Sequence, residues 1–128
     1  MSDKYVLVGQ TPVPVDDLLE WAVQFEVMDR RVAFTRVFDL VDVSTVFLGL
    51  DHSFHGGRPL LFESMAFWAD EHGAEMARCS TWLEAELQHA EMVREVSSWR
   101  ALCAYVWRRW VAHWTAAAED WRVLWPSL

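Results

Sequence analysis

Cysteine is nearly absent: Cys79 and Cys103 are the only two in 128 residues, far apart and in no CxxC spacing. They allow at most one disulfide. Two free, buried thiols in a reducing, cytoplasmic compartment are the expectation. Basic residues are also few, 11 against 19 acids, for a net charge of −8. An acidic chain is repelled by a phosphate backbone, so direct nucleic-acid binding is not expected. No uncharged apolar run is long enough to span a bilayer. The N-terminus MSDKYVLVGQ lacks the basic region and apolar core of a signal peptide. GxSxG, the Walker A loop and GxGxxG are all missing, so nucleophilic and phosphate-cradle chemistries have no sequence support. Glycine and proline are sparse, and after Thr81 neither occurs until Pro126.

What is present is apolar and aromatic. An apolar fraction of 53% argues against disorder. Lys4–Val8 reads as a short strand and Gly9–Pro12 as a turn. Pro14, Asp16 and Asp17 suit a helix start. Leu18, Trp21, Ala22, Phe25 and Met28 then recur at helical spacing, predicting a helix over 14–30. Val32–Phe38 reads as a strand and Asp39–Asp42 as a turn. Val43–Leu50 and Pro59–Trp68 are the strongest strands and should pair in mid-sheet. Residues 69–79 read as polar loop. Thr81 and Glu84 form a capping box, which starts a helix over Trp82–Val96.

The order β-α-β-β-β-α, with short turns, predicts an α+β two-layer domain over 1–98. It has an antiparallel sheet of about four strands with helices on one face. Trp21, Phe25, Phe47 and Phe62 should be buried where the first helix packs on the sheet. Residues 99–128 are a Trp/Arg-rich helical extension, packed on the domain or on a partner.

From Lys4 to Val96 the chain carries KYVLVGQTPVPVDDLLEWA, FEVMDRRVA, VSTVFLGLDHSF and PLLFESMAF, followed by a Ser-Thr-Trp helix start holding His89. In these stretches it resembles a family of short proteins recurrent in bacteriophages and prophages. The resemblance implies a mobile-element setting and no mechanism. FHGGRP and WADEHG depart from the family pattern, and the tail from Trp99 does not match it.

The polar chemistry gathers at one hairpin. Asp51, His52, His55 and Glu63 could converge as a small-ligand, metal or acid–base site, catalytic or not. Against this, hairpin tips are polar because water is there, and HxxH is no zinc signature. Glu63, set between LLF and SMAF, suits an ion pair with Arg30, Arg36 or Arg58. His89 and His113 lie inside helices, where a satisfied or surface histidine is the commoner outcome. No catalytic residue, metal ligand or cofactor is assigned.

Six of the nine tryptophans lie between Trp99 and Trp125. Trp107, Trp110, Trp114, Ala117, Trp121 and Leu124 follow 3-4 spacing, which makes one helical stripe. Left bare, such a stripe would expose several hundred Å². Burial against its own sheet, a second copy or a partner is therefore expected, with Trp107, Trp110, Trp114 and Trp121 as contacts. The functional expectation is a non-enzymatic phage or prophage interaction protein acting on a host process or defence system. Its rival is a ligand-binding domain at the 51–63 hairpin.

Overall fold

The computed structural model describes residues 2–70 and 75–124, with side chains through residue 118. Strands β1 (Tyr5–Val8) and β2 (Thr11–Pro14) form a two-stranded ribbon around Gly9, whose φ of +64° only glycine adopts freely. Helix α1 (Leu18–Val27) follows. Strands β3 (Arg31–Val37), β4 (Val41–Phe47), β5 (Phe62–Trp68) and β6 (Glu75–Cys79) make an antiparallel sheet in that order. Helices α2 (Trp82–Val96) and α3 (Trp99–Leu124) complete the α+β fold.

The alternation of β4 and β5 sets the core. Val41, Val43, Thr45 and Phe47 point to one face, as do Phe62, Ser64, Ala66 and Trp68, and all are buried. The helix covering that face is α2, through Ala85, His89, Met92 and Val96. Burial follows the strand and helix periods together, giving two apolar clusters. One gathers Val37, Val41, Val43, Ala66, Trp68, Met92 and Val96; the other gathers Phe47, Leu61, Phe62, Cys79 and Ala85.

Several expectations are corrected. Phe47 and Phe62 are fully buried, but beneath α2 rather than α1. Helix α1 buries no residue completely and lies against β1. There Trp21 Nε1 donates to the carbonyls of Tyr5 (3.0 Å) and Gly49 (3.2 Å), and Phe25 stacks on Trp21. A Cβ on Gly49 would sit 2.3 Å from Phe25 Cε2, so that glycine is needed for the close approach. The helix starts at Leu18 rather than Pro14, because Asp17 caps it by accepting from Glu20 N at 2.9 Å.

Thr11–Pro14 is a strand, not a turn. Its prolines are tolerated because a two-stranded ribbon has free outer edges. The fourth sheet strand is β6, in a segment read as loop, while β1 stays outside the sheet except for a Lys4–Leu50 bridge. Strand β4 starts and ends earlier than its apolar run suggests, and β5 starts later but ends at Trp68 as expected. The β3–β4 turn is tighter than expected, with Phe38 and Asp39 at φ of +52° and +54°.

The sheet's other face is uncovered. Cross-strand neighbours there include Arg36–Asp42, Ser44–Met65, Met65–Met76 and Glu63–Arg78. Phe34, Phe67 and Met76 are exposed on it.

Candidate functional site

The hairpin tip is built by Asp51. Its Oδ1 accepts from Ser53 N (2.8 Å) and Leu60 N (3.0 Å), which closes the loop across its base. Burial raises the Asp51 pKa, but the hydrogen bonds from Ser53 and Leu60 outweigh it and hold the carboxyl below its usual range. His52 Nδ1 lies 2.8 Å from the Leu50 carbonyl, so it carries the proton and leaves Nε2 as acceptor. Arg58 pairs with Glu84 at 2.6 Å and ties the loop to the start of α2. Glu84 also closes the Thr81 capping box, and these hydrogen bonds hold its pKa low.

A cavity of about 440 Å³ opens between loop and helix, lined by His52, His55, Arg58, Arg78, Cys79 and Glu84 among others. The structure thus brings His52 and His55 together, while neither Asp51 nor Glu63 lines the cavity. Glu63 instead accepts from Arg78 Nε at 2.9 Å on the uncovered sheet face, a partner the sequence reading did not name. Burial pushes the Cys79 thiol up to about 11, so it stays protonated at neutral pH and is a poor nucleophile. Among the described residues, no group of three or more His, Cys, Asp or Glu is placed to hold a metal ion. Of the cavity's charged groups, Arg58 and Glu84 hold the loop and Arg78 is paired with Glu63 across the sheet.

The chain's most concentrated polar chemistry lies in the core instead. His89 Nδ1 is 2.8 Å from Thr45 Oγ1, and Nε2 is 2.9 Å from Thr35 Oγ1. Thr45 Oγ1 is in turn 2.7 Å from Ser64 Oγ, its cross-strand neighbour. This layer separates the two apolar clusters. Either neutral tautomer satisfies both ring nitrogens, since each hydroxyl can donate or accept. Burial lowers the His89 pKa, with no carboxylate among its partners to oppose that. His89 is buried and lines none of the five main cavities formed by the described residues. The layer's signal in the sequence was the phase of VSTVF, which places Thr45 between Val43 and Phe47 on the buried side.

The third feature is α3. Its 26 residues are about 39 Å long at the α-helical rise. Among the described residues, only its first turns touch the domain. Ala101 and Tyr105 pack on the cluster that holds Trp68 and Met92, Tyr105 stacks on Trp68 at 5.8 Å, and Arg108 pairs with Asp70 at 2.8 Å. From Arg109 to Ala118 every residue but Ala117 is exposed. Among the described residues, Trp107, Trp110 and Trp114 of the stripe therefore do not fold back on the sheet. Trp107 stacks on Trp110 at 5.3 Å, and Trp114 meets Trp110 edge-on at 5.8 Å.

Trp99, Leu102, Cys103, Val106, Trp107 and Trp110 line an almost wholly apolar groove of about 550 Å³. Trp99, Leu102, Cys103 and Val106 were not in the sequence-derived site, although continuing the 3-4 spacing backwards from Trp110 reaches Val106, Cys103 and Trp99. Cys103 is exposed rather than buried, and both thiols are free. The Trp121 side chain lies outside the described residues. His113 is exposed beside Trp114. Among the described residues, no helix is long and apolar enough to cross a membrane.

Neither the protein-family models, the curated proteins nor the solved structures gave a match to this chain.

Proposed function

We propose that the protein is a non-enzymatic protein–protein interaction module whose binding surface is the outward face of α3. One observation carries the reading: the most aromatic stripe of the chain sits on the side of α3 turned away from its own domain. At about 100° per residue, Ala101, Tyr105 and Arg108 lie nearly opposite Trp110. An ordinary surface helix turns its apolar side to the core; this one turns alanine, tyrosine and a paired arginine inward. Tryptophan is also the residue most enriched among binding hot spots.

The resemblance of residues 4–96 to phage and prophage proteins supports a mobile-element setting, in which the target would be a host process or defence system. Two free cysteines support the reducing cytoplasm as its place of action. The ligand-binding alternative has less support, because Arg58 and Arg78 are each paired with a glutamate rather than free for a ligand.

A photo-crosslinking amino acid at position 110 tests the reading in cells. Covalent protein adducts are expected there, and not with the same group at Glu91, which is exposed on α2. If position 110 gives no more adduct than position 91, α3 is not an interaction surface.

A further inference from the structure

We infer that the partner covering α3 is a second copy of this chain, its α3 running antiparallel to the first. The inference rests on the reading of α3 as the interaction surface and names its occupant.

The first argument is shape. Trp99, Cys103, Val106, Trp107, Trp110, Trp114 and Ala117 fall within about 100° of arc at the α-helical pitch, a seam wide enough for one helix to cover. The spacing 103-107-110-114-117 is a heptad seam, which two helices of one sequence fill with the same registers. The domain packs on the opposite side of α3, so it leaves the seam open to a partner helix along its length.

The second argument is area. Trp99, Trp107, Trp110 and Trp114 are 80%, 63%, 53% and 57% exposed. Taking about 250 Å² for a whole tryptophan side chain, they leave about 600 Å² bare per chain. Complete burial of these rings in two copies would remove about 1,200 Å², an upper limit that reaches the lower bound for a stable specific interface. Val106 and Val111 add to it.

The third argument sets direction. In a parallel pair each tryptophan at 107, 110 and 114 would face its own copy, crowding indoles into successive layers. In an antiparallel pair centred near residue 112, Trp107 faces Ala117 of the second copy, and Trp110 faces Trp114. Large then meets small at 107 and 117, and two layers rather than three hold facing indoles, which is nearer to what close packing requires. A bilayer surface is the weaker occupant. The polar side of α3 carries Arg108 and Arg109, but Arg108 is already paired with Asp70, the side continues through the uncharged Ala112, Thr115 and Ala116, and the chain's net charge is −8.

Sedimentation of the purified full-length chain at micromolar concentration tests this. The expected mass is twice the 14.9 kDa of one chain, and Trp110→Glu should return it to one chain whose α2 amides still exchange slowly. Ala117→Trp separates specific pairing from stickiness. It enlarges the apolar stripe yet should weaken the dimer, because it collides with Trp107 of the other copy. Cys103 reports coverage, since alkylation should be slow in the wild type and fast in Trp110→Glu.

A single-chain mass for the wild type overturns the second copy. Position 110 crosslinking to a different protein would then keep the interaction reading alone. A dimer that survives Trp110→Glu uses another surface, and Ala117→Trp strengthening it excludes the antiparallel register. A single chain that co-sediments with anionic vesicles assigns the stripe to membranes.

Discussion

Replacing Thr45 by valine tests whether the buried hydroxyl layer is a hydrogen-bonded unit. Thr45 is fully buried, and its Oγ1 serves both Ser64 and His89. Valine keeps nearly the same volume, so little cavity forms; what changes is that Ser64 Oγ and His89 Nδ1 each lose a partner in a buried site. A buried polar group left unsatisfied costs about 1–3 kcal/mol, so the pair should cost roughly 2–6 kcal/mol, a large share of the 5–15 kcal/mol a domain possesses. Urea unfolding reads this as a drop of about 1–3 M in midpoint at unchanged slope, given slopes of about 1–3 kcal/mol/M. The triple variant Thr45→Val, Ser64→Ala, His89→Leu removes every member that the valine orphans. It should recover most of the loss, because converting a polar pair to apolar groups of similar shape is nearly neutral. If Thr45→Val unfolds within about 0.5 kcal/mol of wild type, or the triple variant is no better than the single, the layer does not act as argued.

Burial also sets the pH response. The folded-state pKa of His89 is depressed, so its neutral form is favoured by folding; that stability is full above the unfolded value of 6.5 and is lost as pH falls below it. Urea midpoints should therefore decline on going from neutral pH toward pH 5 in the wild type and decline less in the triple variant. The Asp51 contribution, with its lowered pKa, is lost only as pH falls below 3.8. Gly49→Ala should destabilise by about 2–4 kcal/mol, from left-handed strain of about 1–2 kcal/mol plus displacement of the Phe25 ring. Gly56→Ala, at similar positive φ but with open space around it, should show the strain alone, so equal urea midpoints for the two variants would refute the contact. Phe38→Asn should stabilise by about 1 kcal/mol, since asparagine tolerates the left-handed turn that exposed phenylalanine occupies at φ +52°; an unchanged or lower melting temperature would contradict this.

The sequence carried its strongest signals where period and burial coincide. The Thr81–Glu84 box started α2 where the structure has it, and VSTVF and FESMAFW form the paired central strands. Strand β6 was hidden because Glu75 and Arg78 interrupt its apolar residues, and it is an edge strand whose pairing comes from β5 rather than from its own pattern. The role of α1 was misjudged for a related reason. Its Trp21 and Phe25 face inward as the spacing suggests, but local sequence does not say which surface receives them. Glu63 and Arg78 are 15 residues apart and meet only through strand register. Of the hairpin residues, His52 and His55 share a cavity because they lie in one loop, while the Asp51 side chain turns back to hold the loop's own backbone.

The central claim is that the outer half of α3 needs a partner. A helical segment of this length is marginal alone in water, and residues 109–118 have almost no contact with the domain. Amide hydrogen exchange over 109–118, followed across a wide dilution series of the purified chain, tests this directly. Protection should be high at the concentrated end and collapse on dilution, while the amides of α2 exchange slowly throughout. Protection of 109–118 that is independent of concentration and equal to that of α2 would contradict the account.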